Sequence, residues 1–343
     1  MRATIRNVLV TALAVGLLAW FMRGADLARV WDEMRIARRD LLALGAGLVV
    51  LSYLMRAHRW VYLLAPLGPV RLRTAFRTTV IGLALSVVLP ARAGEFLRPY
   101  LLARQEGLSA TATFATVVFE RVLDLIAVLV LLALYLAAFD PGLEVVNPAV
   151  FRAVQIGGLT MGALAAAGLV VLAVLAGHPE RLHGIVLQVE RVLPARLAHL
   201  VAGLARTFAE GLAIIRQPSR VLVSLGLSLL MWIVIAAQTW AVVAAFDIAL
   251  PPAGALLVMA FLVVGVAVPT PGGVGGYHEA FRISVTTFFA AGNDVAIGAA
   301  IVAHMVSVMP GLVLGMWFAA QDGMSFTGLR DLAGVAKAEE TAT

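Results

Sequence analysis

Between residues 268 and 279 an otherwise membrane-grade sequence reads VPTPGGVGGYHE. Two prolines and four glycines divide an apolar stretch into two runs, 254–267 and 281–290, each too short to cross a bilayer. Backbone without helical hydrogen bonds is costly in hydrocarbon and persists only where protein or a wet cavity surrounds it. His278, Glu279 and Arg282 follow at once, and ionisable groups at that depth mark functional sites. A chain holding such a break must build a protein-lined interior inside a membrane.

The remaining sequence supplies the bilayer partner. It is 62% hydrophobic and 13% charged, whereas soluble domains are roughly half apolar and a quarter charged. There is no cysteine, so disulfide frameworks, thiolate metal sites and cysteine nucleophiles are excluded. The net charge of +6 fits arginines gathered near anionic lipid better than a nucleic-acid surface; no nucleic acid is expected as a partner.

Six runs have the roughly 20 residues a span needs: 5–22, 41–64, 112–139, 150–176, 220–246 and 295–320. The expected fold is therefore an all-α polytopic membrane protein. One transmembrane domain covers 1–320, and a polar tail, 321–343, is expected to be disordered and cytoplasmic. The first run is read as an uncleaved anchor rather than a signal peptide. Gly158 and Gly162, like Gly311 and Gly315, have the spacing that lets helices approach closely. In 178–216, leucines and other apolar residues recur at helical spacing among arginines, as expected of a cytoplasmic amphipathic segment at the membrane surface. That arginine-rich segment places the N- and C-termini in the cytoplasm. One stretch dissents: 23–40 falls outside with five arginines and four acids.

A second break, LPARAGE at 89–95, also separates two half-length runs. Each break reads as a re-entrant hairpin or a pair of half-helices. Their surroundings correspond. Gly107 follows Glu95 by twelve residues and Glu120 comes thirteen later; Gly292 follows Glu279 by thirteen and His304 comes twelve later. The expected topology brings the first break from the cytoplasm and the second from outside. That is the inverted-repeat arrangement that places a transport site near the midplane.

A helix starting after such a break presents free N–H groups and a positive dipole end, and consecutive glycines form an anion nest. Arg92, Arg98, Arg121 and Arg282 add donors suited to phosphate. Glu95, Glu120, Asp124 and Glu279 can pair with them or accept from a cationic head group. The expected result is a polar cavity that receives a charged lipid head. Structural alternatives stand beside this: the prolines and glycines only kink helices, Glu120, Arg121 and Asp124 form an ion-pair cluster, and His304 is an interhelical donor. His278-Glu279 lacks the second histidine of a zinc-protease motif, and no P-loop, dinucleotide fingerprint or nucleophile elbow is present. No enzyme, metal or cofactor is expected.

Three blocks, LPARAGEFLRPYLL, GLSATATFATVVFERVLDL and VPTPGGVGGYHEA, resemble the signature blocks of the lysylphosphatidylglycerol synthase/flippase transmembrane family. Pro90, Arg92, Gly94, Glu95 and Arg98 match the first block, Glu120, Arg121 and Asp124 the second, and Pro271, Gly272, Gly273, Gly275 and Glu279 the third. The chain departs by an extra residue at Tyr277-His278, and by His304 where an arginine is common. The resemblance implies a bacterial plasma-membrane lipid translocase that moves or binds an anionic phospholipid or a polyprenyl-phosphate-linked lipid. Some members carry a soluble aminoacyl transferase; the short tail here implies that this domain is missing, leaving a second copy or a separate lipid-modifying enzyme as protein partner. A non-transporting lipid-binding subunit and a membrane-embedded transferase are the other readings.

Overall fold

The computed structural model describes residues 2–89, 92–138, 148–177, 203–204, 207–268 and 270–323. Pro90, Pro269, most of the expected amphipathic segment and nearly all of the tail lie outside these. Among the described residues every regular element is helical. In order they are α1 (Arg2–Phe21), α2 (Leu27–Ile36), α3 (Arg39–Leu64), α4 (Leu72–Val88), α5 (Gly94–Glu106), α6 (Ala110–Ala138), α7 (Pro148–Gly177), α8 (Pro218–Ala244), α9 (Gly254–Ala267), α10 (Gly276–Phe289) and α11 (Asn293–Gln321).

Among the described residues three helices, α3, α8 and α11, are long and apolar enough to cross a membrane. The other three expected spans also fold as helices. They are α1, α6 and α7, and α6 carries Glu120, Arg121 and Asp124 within its length. α3 packs along α8, and α4 along α11. Apolar burial alone does not drive helices together in lipid, so this contact depends on close packing and polar links. Gly311 and Gly315 serve that purpose. A Cβ on Gly311 would reach the Tyr53 ring, and one on Gly315 would collide with the Val80 carbonyl of α4. Gly158 and Gly162 do not: among the described residues nothing lies within 4 Å of either Cβ position. Small-residue spacing permits a close approach without supplying a partner.

Both breaks are the tips of helical hairpins, α4/α5 and α9/α10, whose arms have 17, 13, 14 and 14 residues. At about 1.5 Å per residue each arm spans ~20–25 Å, short of a bilayer. The arms touch through glycine. A side chain on Gly94 would strike the Gly82 carbonyl and Ser86 backbone nitrogen, and one on Gly276 the Gly265 carbonyl.

α11 measures where the hairpins sit. Arg77 of α4 pairs with Asp322 just past its C-terminus, and Phe76 meets Phe318 edge-on at 6.2 Å. Arg282 of α10 donates to Asn293 at its N-terminus, 3.2 Å away. Nearer the middle, Tyr277 packs on His304 with ring centres 4.9 Å apart. The hairpins thus run along opposite halves of a helix ~43 Å long, bases at its two ends and tips meeting at its centre.

Candidate functional site

The second tip is a short 3-10 turn, Pro271–Gly273, with positive φ at its last two residues and again at Gly275. Gly272, Gly273 and Gly275 have φ of 61°, 75° and 88°, values that side chains rarely tolerate. His304 of α11 holds this tip, its Nε2 lying 2.9 Å from the Gly272 carbonyl oxygen. His278 holds it from within. Its Nδ1 accepts the Gly275 N–H at 3.3 Å, and its ring stands 4.7 Å from that of His304. At the first tip, Arg92 occupies left-handed backbone at φ 54°, a conformation that non-glycine residues hold only when the surrounding structure enforces it. Its guanidinium lies 3.8 Å from Glu95.

Behind the first tip lies a charge cluster that the sequence shows only in part. Glu120 has no solvent-accessible side chain, and four arginines converge on it. Arg98 binds it through both terminal nitrogens at 3.1 and 3.2 Å. Arg121 approaches to 2.6 Å and Arg56 to 3.1 Å. Arg59 pairs with it at 3.2 Å without hydrogen-bond alignment. Asp124 accepts from Arg59 at 2.5 Å, Arg56 at 3.3 Å and the Trp232 indole at 3.1 Å. Ser228 fills another site on Arg59, and the Arg98 guanidinium lies 3.9 Å from the centre of the Trp60 ring. Four guanidiniums meet two carboxylates, leaving two positive charges in excess. Unpaired charges are expensive in a low-dielectric interior, so the surplus is a strong pointer to an anionic ligand.

A cavity of about 260 Å³ opens in front of this cluster. Arg92, Gly94, Glu95 and Arg98 line it from the first hairpin, Gly272 and Tyr277 from the second. Arg56, Arg121, His304 and Ser307 complete its polar wall. Arg59, Glu120 and Asp124 stay behind that wall. The carboxylates thus fix the arginines from the rear while cationic faces reach the cavity. The Arg98 Nε is buried without a hydrogen-bond partner among the described residues.

The structure therefore brings most of the residues singled out in the sequence to one place. Glu279 and Arg282 are elsewhere. They grip each other through two contacts, 2.8 and 2.5 Å, and Arg282 turns to Asn293; neither lines the cavity. Gly273 and Gly275 shape the tip, and Pro271 belongs to its turn. Sequence reasoning missed Arg56 and Arg59 as site residues. Two arginines three residues apart inside the 26-residue helix α3 were the available signal.

A helical membrane protein whose two half-length hairpins meet around an arginine-walled cavity defines the class. A family model described as the lysylphosphatidylglycerol synthase TM region matches residues 7–315, and the chain belongs to that family. It is similar to a protein named glycosyltransferase AglD from Haloferax volcanii, 27% identical over 331 residues. The match covers 88% of this chain and 51% of that protein, so the chain spans about half the length of the curated relative it matches.

Proposed function

We propose that the chain is a lipid translocase, not an enzyme, whose cargo carries phosphate in its head group. An anionic phospholipid or a polyprenyl-phosphate-linked lipid in a bacterial plasma membrane fits this chemistry. One observation carries the reading: the cavity between the two tips is walled by Arg56, Arg92, Arg98 and Arg121, with the balancing acids Glu120 and Asp124 set behind. A phosphate entering there replaces water with preorganised guanidinium donors, while acyl chains stay in the bilayer. The opposed hairpins are read as an inverted repeat. Loosening one tip opens the cavity to one side and loosening the other opens it to the opposite side, the alternating access of repeat-built transporters. The name of the Haloferax relative supports including sugar-bearing lipids among the candidate cargoes.

The test is reconstitution of the full chain in liposomes with head-labelled phosphatidylglycerol, following loss of the label to a membrane-impermeant quencher. The wild type is expected to flip the lipid, and Arg98→Gln and Arg121→Gln to slow it at least tenfold. Flipping no faster than in empty liposomes overturns the transport reading; lipid that co-purifies without moving supports a lipid-binding subunit instead.

A further inference from the structure

Helix α2 contributes no residue to the central cavity and shows a different chemistry. It is amphipathic. Val30 is buried, and α2 lies against α11, where a Cβ on Gly298 would come within 3.4 Å of both the Val30 carbonyl and Met34. Leu27, Trp31 and Ile36 remain 63%, 59% and 75% exposed. Asp26 caps its start, accepting from the Ala28 and Arg29 amides.

Its level relative to the bilayer follows from what holds it. The Asp26 amide donates to Asp294, at the first turn of α11, at 3.1 Å. The Arg38 amide donates to Ala245, at the end of α8, at 2.9 Å. Arg39 begins α3. The three helices able to cross a membrane therefore all have an end beside α2. An amphipathic helix at that level, with its tryptophan projecting, lies in the interfacial plane.

Where α2 turns into α3 the surface forms an open hollow of about 560 Å³, lined by Asp32, Met34, Arg35, Ile36, Arg39 and Leu42. Most neighbouring arginines are occupied: Arg23 over Trp20 at 5.5 Å, Arg29 near Asp26 at 3.6 Å, and Arg38 on Asp40 at 3.0 Å. Among the described residues Arg35 and Arg39 have no ion-pair partner. With Asp32 they leave one positive charge, the complement of a single phosphodiester. Ile36 and Leu42 offer an apolar wall to the first methylenes of an acyl chain.

The geometry points to this elbow as a second lipid site, one that holds an anionic phospholipid of the surrounding leaflet rather than the transported cargo. Arg35 and Arg39 grip the phosphodiester, and Ile36 and Leu42 seat the chains. Bound lipid neutralises arginines that a stretch of this charge would otherwise expose, and it braces the ends of α3, α8 and α11.

The full chain in nanodiscs is labelled with phosphatidylglycerol or phosphatidylcholine carrying a photoactivatable acyl chain, and the crosslinked peptides are mapped. Labelling of the 27–42 segment is expected to be several-fold stronger with phosphatidylglycerol. It should fall to the phosphatidylcholine level in Arg35→Gln/Arg39→Gln and largely return in the double lysine variant. Arg98→Gln, which addresses only the central cavity, should leave it unchanged. Equal labelling by the two lipids, or unchanged labelling in the double glutamine variant, overturns the site. Displacement by inorganic phosphate at concentrations that leave the nanodisc intact overturns the lipid assignment, because a site held by acyl chains resists a free anion.

Discussion

Arg98 and Glu120 form a two-pronged ion pair at 3.1 and 3.2 Å, with the guanidinium lying 3.9 Å from the centre of the Trp60 ring. Arg98 belongs to the first hairpin and Glu120 to α6, so this contact joins the moving tip of the proposed mechanism to its scaffold. A lysine keeps the charge but loses the planar fork and much of the stacking on Trp60. Arg98→Lys is therefore expected to fold and to transport roughly tenfold more slowly, about 1.4 kcal/mol in the barrier. Liposome flipping rates check this, and a rate equal to wild type would show that the fork is dispensable.

Removing the shared carboxylate has a different effect. Glu120→Gln leaves Arg56, Arg59, Arg98 and Arg121 converging on a neutral amide in a site with no solvent access. Breaking a buried ion pair from one side costs roughly 3–5 kcal/mol. The variant is expected to melt well below wild type in detergent, or to fail to accumulate. Arg121→Gln, whose side chain is 45% exposed, should lose far less stability. Equal melting temperatures for Glu120→Gln and wild type would remove the cluster's structural role.

The hairpins depend on glycine where their arms touch. A methyl on Gly94 meets the Gly82 carbonyl and the Ser86 nitrogen, backbone atoms that cannot turn aside. Gly94→Ala and Gly276→Ala are each expected to lose about 1–3 kcal/mol through forced separation of the arms. Gly158→Ala and Gly162→Ala, with no described residue within 4 Å of the added methyl, should be neutral or slightly stabilising in helix α7. Melting curves of the four variants make the comparison directly.

How much of this was legible in the sequence depends on the kind of signal. Both breaks announced themselves because proline and glycine runs have few uses inside apolar sequence, and both fold as hairpin tips. Glu120, Arg121 and Asp124 stood out as charges in a span. Their partners Arg56 and Arg59 lie more than sixty residues away in sequence, and no local pattern links the two helices. Glu279 was misplaced by helix phase. Tyr277 faces the cavity, and Glu279, two residues on, lies about 200° around the same helix. Arg282, one turn further, falls on the Glu279 side and becomes its partner. A motif gives the order of residues; only the starting angle of α10, set by Gly275 and His278, decides which of them face inward.

His304 tests the hold on the second tip. Its Nε2 must carry a proton to donate to the Gly272 carbonyl, 2.9 Å away. His304→Leu removes the donor and leaves a carbonyl unpaired at the cavity wall, a loss of about 1–3 kcal/mol. His304→Gln offers an amide N–H over a similar reach. The leucine variant is expected to flip lipid several-fold differently from wild type, and the glutamine variant to recover most of the difference. If both variants behave alike, the hydrogen bond to Gly272 does not govern the tip.

The pair Glu279 and Arg282 separates the motif from the geometry most sharply. Sequence order puts Glu279 in the same block as Gly272 and Gly275, and a reading from the block alone makes its carboxylate a cavity gate. In the structure it is held by Arg282 at 2.8 and 2.5 Å, and both side chains are turned from the cavity toward the start of α11. Glu279→Gln breaks the pair but touches no cavity wall. Glutamine still offers one acceptor to Arg282, and both side chains keep some solvent contact, at 14% and 24% exposure, so the stability loss should stay near 1 kcal/mol. Transport is expected within about twofold of wild type, against at least tenfold for Arg98→Gln. A tenfold loss in Glu279→Gln with an unchanged melting temperature would mean that Glu279 reaches the cargo in another state of the cycle, and the site would have to be redrawn around it.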